Sequence, residues 1–256
     1  PDLLIYLKAD IPKLVEQIQK RNRDFEFNIK LEYLRTLNEQ GIEGLVVLGG
    51  DGSMRGAMAL YESGIKVIGA PGTIDNDMYG TEITIGVDTA LNTVLDCIDM
   101  IRATASSHQR AFLIEVMGRH CGYLALIAGI AAGAEMICIP EKPFELDDVA
   151  AVLDQAYVRG KAHCIVVVAE GAQYNALTIE KYLRESRHDL GFDVRSSILG
   201  YIQRGGKPTA YERLLATRLG AFAVDCLAGD QHGVMVGVSG HQLITTPLPD
   251  VVSHRQ

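Results

Sequence analysis

The chain reads as an α/β protein with parallel sheets of βαβ units, and three observations predict this. Strand-like apolar runs at 3–7, 44–48, 65–69, 111–116, 136–139, 164–169 and 233–238 alternate with helical segments at 13–20, 28–39, 53–63, 88–104, 120–132, 146–157, 176–187 and 209–228. The run Gly44-Leu45-Val46-Val47-Leu48 is continuously apolar, as in a strand buried on both faces of a parallel sheet. The composition, 256 residues with 48% hydrophobic and 22% charged, is that of a globular chain able to bury one large or two modest cores.

Taken in order, the elements begin with a strand over Pro1-Asp2-Leu3-Leu4-Ile5-Tyr6-Leu7. A helix at 13–20 follows, with Leu14, Val15 and Ile18 on one face, and then an amphipathic helix bearing Ile29, Leu31, Tyr33, Leu34 and Leu37. The strand at 44–48 runs into Gly49-Gly50-Asp51-Gly52-Ser53, with Ser53 expected to open the next helix. Ile65-Lys66-Val67-Ile68-Gly69-Ala70 is a second parallel-strand candidate and runs into Pro71-Gly72-Thr73-Ile74-Asp75-Asn76-Asp77. Alternation continues to the last helix with no internal repeat and no low-complexity linker.

Composition also limits function. A net charge of −8 argues against nucleic acid as a partner. The first 30 residues carry no signal-peptide pattern and no apolar run reaches membrane-spanning length, so a cytoplasmic protein without a membrane partner is expected. Cys97, Cys121, Cys138, Cys164 and Cys226 lack metal-ligand spacing and fit reduced, buried thiols.

The two glycine- and aspartate-bearing runs carry the chemistry. Both follow parallel strands, so both should emerge at one sheet edge, where α/β proteins bind ligands. Glycines in the first run allow backbone N–H groups to approach phosphate oxygens, and the following helix N-terminus is an anion site. Asp51 among these donors suits Mg²⁺; the alternative is a glycine turn with a capping aspartate. In an extended second run Thr73, Asp75 and Asp77 would point the same way, presenting one hydroxyl and two carboxylates. One carboxylate can take the proton of an attacking alcohol while the other orients a metal, as phosphoryl transfer requires; the alternative is an Asx-turn with solvated acids.

With these runs on the page, the chain from about 41 to 250 resembles the bacterial-type ATP-dependent 6-phosphofructokinases. The resemblance rests on six separate motifs in order: GGDGS, PGTIDND, Thr84 to Asn92 (TIGVDTALN), Val116-Met117-Gly118-Arg119, Ala169-Glu170-Gly171 and Leu199 to Gly206 (LGYIQRGG). It implies a two-lobed fold with the active site in the cleft. Residues 41–86 with 200–250 would form a partial ATP-binding lobe and 87–199 a sugar-phosphate-binding lobe, the first segment of the N-terminal lobe being missing or replaced.

The activity implied is that of a glycolytic transferase, a kinase moving phosphate from ATP to the 1-hydroxyl of fructose 6-phosphate. Asp75 would be the general base, with Thr73 and Asp77 positioning the γ-phosphate and Mg²⁺ and Arg119 neutralising the transferring group. Met117, Gly118 and Glu170 match residues around the sugar, and Arg204 matches a ligand of the 6-phosphate. Arg110 and Arg195 match arginines reaching a neighbouring subunit's site, which implies a homotetramer; on their own they read as surface arginines. Tyr201 stands where such enzymes carry a histidine, giving a hydrogen-bonding phenol without positive charge.

Gly50, Asp51, Gly52, Ser53 and Gly56 match the ATP site, with Asp51 toward the metal. Gly52 and Gly72 stand where pyrophosphate-dependent relatives carry Asp and Lys, so both favour ATP. Arg102, Gly133, Glu135, Arg159, Lys161 and His163 match an effector pocket for a nucleoside diphosphate with Mg²⁺ or for phosphoenolpyruvate. The alternative for Val158 to His163 is a solvated basic loop.

Residues 1–40 resemble a different family, the lid region of a deoxynucleoside kinase, through Arg21 and Arg23 in an R-x-R-x-x-E pattern and a Tyr-Leu-x-x-Leu-Asn helix end. No Gly-x-x-x-x-Gly-Lys-[Ser/Thr] loop accompanies them, so the segment is expected to cap the sheet. Two other readings of the whole remain open at this level: a non-catalytic sugar-phosphate-binding fragment or chimera, inactive as it stands, and another kinase sharing the GGDG loop. Sugar-dependent ATP consumption separates the first of these from an enzyme, and the PGTIDND, MGR and QRGG runs argue against the second.

Overall fold

The computed structural model describes residues 44–62, 64–187 and 190–254. The strand and helices expected over residues 1–40, and the lid-like arginines, lie outside them. The described residues divide into two compact units: the first takes in residues 44–73, Asp77–Ile85 and residues 210–254, the second Ile74–Asn76 and Gly86–Thr209.

In the first unit, β1 (Leu45–Gly49) and β2 (Val67–Thr73) pair in parallel, and β2 pairs in parallel with β8 (Val234–Ser239). β9 (Gln242–Pro247) closes the order β1-β2-β8-β9 antiparallel to β8, a departure from the all-parallel expectation, and the short β3 (Ile85–Gly86) pairs with β2 off this path. Alternation along β2 sends Val67 to one face and Ile68 to the other. On the Val67 side pack Met54, Ala57 and Leu60 of α1 (Asp51–Glu62) with Leu248 and Val251 of α7 (Leu248–Ser253). On the Ile68 side pack Leu215, Leu219, Ala223 and Cys226 of α6 (Ala210–Ala228). Side chains of both layers are nearly all fully buried, which gives a helix–sheet–helix sandwich.

The second unit repeats the plan around a fully parallel sheet of order β5-β6-β4-β7: β4 (Arg110–Val116), β5 (Met136–Cys138), β6 (Cys164–Ala169) and β7 (Asp193–Ile198). α2 (Val87–Ser107) and α3 (Tyr123–Ala132) cover one face through Val94, Ile98, Ala125 and Ala128 against Ile114 and Val167. α4 (Leu146–Val158) and α5 (Ala176–Ser186) cover the other through Val149, Leu153, Ile179 and Leu183 against Leu113 and Val166.

Several boundaries differ from the sequence expectation. β2 continues to Thr73, so Pro71-Gly72-Thr73 belongs to the strand and not to a loop after it. α1 opens at Asp51: Met54 N–H donates to the Gly50 carbonyl (3.0 Å), which puts Gly50 before the helix and Ser53 inside its first turn. α3 starts at Tyr123 and not at 120, because Gly118 to Cys121 forms a tight turn closed by Cys121 N–H to the Gly118 carbonyl (2.9 Å). The expected lobe boundary at 199/200 falls after Thr209 instead, since Gln203 bonds Met117 and Thr209 bonds Asp88 within the second unit. Three strands, β3, β7 and β9, the helix α7 and the short 3-10 helix Gly200–Arg204 have no counterpart in the sequence reading.

Candidate active site

In the first unit, Gly49 pairs with Pro71, so the two glycine-bearing runs leave the sheet at one edge as expected. The backbone builds this end. A Cβ on Gly49 would sit 2.2 Å from Ser53 Oγ, and one on Gly72 would sit 2.8 Å from Leu48 Cδ1. Both glycines therefore have a packing reason to be glycine, and at Gly72 that reason stands beside the argument from donor choice. Asp51, at the N-terminal turn of α1, is engaged by Arg55 through two bonds, Nε to Oδ1 (3.1 Å) and Nη2 to Oδ2 (2.8 Å). The fork neutralises the acid beside the helix N-terminus and supplies a partner that the sequence argument for a metal did not consider. Gly50, Gly52, Ser53 and Gly56 lie at or in the first turns of the same helix.

The alternation expected of Thr73, Asp75 and Asp77 is broken. Ile74 and Asp75 lie in a bend and Asn76 takes a left-handed conformation (φ 52), so the three do not share one extended face. Thr73 ends β2 and its carbonyl accepts from Thr84 Oγ1, while Asp77 belongs with Thr73 to the first unit. Asp75 belongs to the second unit, where it is 6% exposed and its Oδ2 lies 3.2 Å from Arg119 Nε. The two residues assigned to proton abstraction and charge neutralisation are thus in direct contact. Arg119 is 58% exposed on its side chain, so its guanidinium is free to turn to an incoming anion while Asp75 stays in place.

Arg119 rides on a strained turn. Gly118 (φ 144) and Arg119 (φ 52) are successive left-handed residues, a conformation costly for arginine. Glu170 offsets that cost: one carboxylate oxygen accepts both Gly118 N–H (3.2 Å) and Arg119 N–H (2.7 Å). Glu170, expected at the sugar, is thereby also the residue that holds the arginine's backbone. Met117 N–H donates to Gln203 Oε1 (3.1 Å). Cys121 Sγ meets the Asn76 carbonyl (3.8 Å), joining the turn to the segment of Asp75.

The remaining sugar-phosphate candidates are all in the second unit. Tyr201 and Arg204 share the 3-10 helix, with the Arg204 guanidinium 5.1 Å from the centre of the Tyr201 ring. Arg110 and Arg195 converge on one carboxylate, Asp193 Oδ2, at 3.3 and 2.8 Å. They belong to adjacent strands, Arg110 opposite Asp193 and Phe112 opposite Arg195 in the β4–β7 register. Sequence reasoning missed Gln203, Asn76 and Asp193; the positive φ of Asn76 leaves no local signal, and Asp193 lies in a strand that was not recognised.

The six effector candidates also gather in the second unit. Lys161 Nζ bonds Glu135 Oε1 and Ile165 N–H bonds Glu135 Oε2, both at 2.6 Å. Burial pushes the Glu135 carboxyl up, but Lys161, the Ile165 amide and the Cys164 thiol outweigh it and hold the group below its ordinary 4.5. Glu135, Arg159 and Lys161 line a cavity of about 250 Å³ together with Val152, Gln155 and Ala156. Arg102 donates to the Ala132 carbonyl next to Gly133, and its Nε is buried without a hydrogen-bond partner among the described residues. His163 Nδ1 lies 2.8 Å from Ser106 Oγ. Residues 158–162 are exposed, as the solvated-loop alternative expects, while Lys161 and His163 of the same loop are paired.

A glycine-built helix N-terminus in one α/β unit and a buried aspartate paired with an ordered arginine in another define a phosphate-handling α/β protein. The comparisons narrow the class. The Phosphofructokinase family model matches residues 16–227, a stretch that takes in much of the segment read as kinase-lid-like. An ATP-dependent 6-phosphofructokinase of Bacillus cereus (strain B4264) is 50% identical over 227 residues, covering 89% of this chain and 70% of the relative. The phosphofructokinase structure from Saccharomyces cerevisiae superposes with a TM-score of 0.78 at 36% identity, over 90% of this chain and 35% of that one. A pyrophosphate-dependent phosphofructokinase from Marinobacter aquaeolei gives a TM-score of 0.74 at 25% identity, over 88% of this chain and 64% of that one. The chain belongs to the phosphofructokinase family.

Proposed function

We propose that the chain acts as an ATP-dependent 6-phosphofructokinase, transferring the γ-phosphoryl group of ATP to the 1-hydroxyl of fructose 6-phosphate. The observation that carries the reading is the contact of buried Asp75 with Arg119, on a turn held by Glu170. Asp75 takes the proton of the attacking hydroxyl, and Arg119 leaves it to meet the charge that develops on the transferring group. Arg204, beside Tyr201, binds the 6-phosphate, and Met117, Gly118 and Glu170 surround the sugar. Gly50, Gly52, Ser53 and Gly56 receive ATP at the N-terminus of α1. ATP is chosen over pyrophosphate because Gly52 and Gly72 are glycine and because the half-identical Bacillus relative is named for ATP.

Among the described residues no group of three or more His, Cys, Asp or Glu is placed to cage an ion. Mg²⁺ is commonly bound by one or two carboxylates and shared with substrate phosphates. Asp51, with Asp77 and Thr73, would hold it, and it would screen the negative charge of the phosphates. Cytoplasmic work suits the five free thiols. No helix of the described residues is long and apolar enough to cross a membrane.

A regulatory reading rests on a separate observation, the cavity lined by Glu135, Arg159 and Lys161. It would take a nucleoside diphosphate with Mg²⁺ or phosphoenolpyruvate. A homotetramer in which Arg110 and Arg195 reach a neighbour's phosphate rests on the family resemblance; within this chain both arginines pair with Asp193. A coupled assay of ADP release tests the activity. ADP release that requires fructose 6-phosphate is expected, with no sugar bisphosphate formed when pyrophosphate replaces ATP; sugar-independent release would contradict it.

A further inference from the structure

Gln203 is among the few polar side chains of the described residues that are nearly fully buried, at 1% exposure, and no chemical step above uses it. Its carboxamide closes two bonds: Oε1 accepts Met117 N–H (3.1 Å) across a separation of 86 residues, and Nε2 donates to the Gly200 carbonyl (2.9 Å). The partners fix its orientation, since an amide N–H must meet the oxygen and a carbonyl must meet the nitrogen.

The place of this carboxamide in the fold gives it meaning. β4 and β7 pair as far as Glu115 opposite Ile198, and Leu199 N–H still bonds the Glu115 carbonyl (3.1 Å). The chain then leaves the ladder and winds into the 3-10 helix that carries Tyr201 and Arg204. Met117, just past the end of β4, has no strand partner there, and the Gln203 side chain serves as one. The same side chain ties the helix to its own first residue. One carboxamide therefore joins the arm bearing Arg204 to the turn bearing Arg119.

From this we infer that Gln203 is a positioning residue that sets Arg204 against the Met117-Gly118-Arg119 turn, and so governs how tightly a sugar phosphate is held during transfer. The inference rests on the proposed activity. It predicts that disturbing Gln203 acts mainly on the sugar-phosphate KM, because Asp75 and Glu170 hold Arg119 by contacts of their own.

Gln203→Glu keeps the shape and the acceptor but replaces the donor to Gly200. When ionised, it turns an oxygen toward a carbonyl; when protonated, it donates again. Burial and the facing carbonyl disfavour ionisation, so the variant regains the native bonds as pH falls. The expected result is a KM for fructose 6-phosphate raised about tenfold at pH 8, with kcat changed less than about threefold and KM returning toward wild type near pH 6. Gln203→Leu, which cannot make either bond, should raise KM with no such recovery, and should speed hydrogen exchange of the Met117 amide about tenfold or more. An unchanged KM in both variants, or a kcat loss with KM intact, overturns the inference while leaving the activity standing. Wild-type protein that shows no sugar-dependent turnover overturns the activity and this role with it, whereas a Met117 amide that exchanges equally in wild type and Gln203→Leu overturns the link itself.

Discussion

Under the proposed function the two units would meet phosphate in opposite ways. In the first unit the site is made by what is left out: Gly49 and Gly72 leave room for Ser53 and Leu48, and Gly50 precedes a helix whose N-terminal turn suits an anion. In the second unit the site is made by side chains reaching across the fold, Arg119 to Asp75, Glu170 to two amides and Gln203 to Met117. Adding an atom should damage the first kind of site, and removing one should damage the second. The comparison can be broken or sharpened by substitutions on each side.

The largest effect should come from Asp75→Ser. Loss of the general base lowers kcat by about 10² to 10⁴, with sugar-phosphate affinity by calorimetry little changed. A variant that keeps most of its turnover would remove Asp75 from that role. Arg119→Ser should cost somewhat less, about 10² to 10³ in kcat, because it removes one group that meets the developing charge. Steady-state kinetics at saturating ATP separates this from a binding defect.

On the first-unit side, Gly49→Ala adds one methyl that would lie 2.2 Å from Ser53 Oγ and 2.5 Å from Ser53 Cβ. The first turn of α1 must move, costing about 1–3 kcal/mol of stability. The KM for ATP should rise severalfold while binding of fructose 6-phosphate is unchanged. If both substrates suffered equally, the division of labour between the units would fail.

The smallest effect concerns Glu135. Its folded carboxyl is held below the ordinary value of 4.5, so it contributes stability at pH above 4.5 and loses that contribution as pH falls through the lowered folded value. Glu135→Gln should therefore be less stable than wild type at neutral pH, with the difference shrinking on acidification. Urea midpoints at pH 7 and near pH 4 check the sign, and a difference that grows in acid would contradict it.

Legibility followed the same division. The glycine runs, their shared sheet edge and the parallel strands could be read locally, because apolar continuity and glycine placement are local signals; β1, expected to be buried on both faces, instead ends the strand order among the described residues and leaves Leu48 45% exposed. β7, with Asp193, Arg195, Ser196 and Ser197, could not, because among the described residues it lies at the edge of its sheet and pairs with β4 alone. β9 carries Thr245 and Thr246 and is tied to β8 through a two-residue turn at Gly240 and His241, so its pattern is that of a polar hairpin arm. The left-handed Asn76 defeated the alternation argument for Thr73, Asp75 and Asp77, since one residue with positive φ re-aims everything after it. Gln203 was present in a quoted motif, yet its role depends on a partner 86 residues away.

The most direct test of the account is a ³¹P NMR time course of the chain with Mg-ATP and fructose 6-phosphate. The account predicts that the γ-phosphate signal falls as a new phosphomonoester signal at the sugar C1 position rises in equal amount, with free phosphate constant. Growth of free phosphate in its place, or an unchanged spectrum while calorimetry still registers the sugar phosphate, would contradict it.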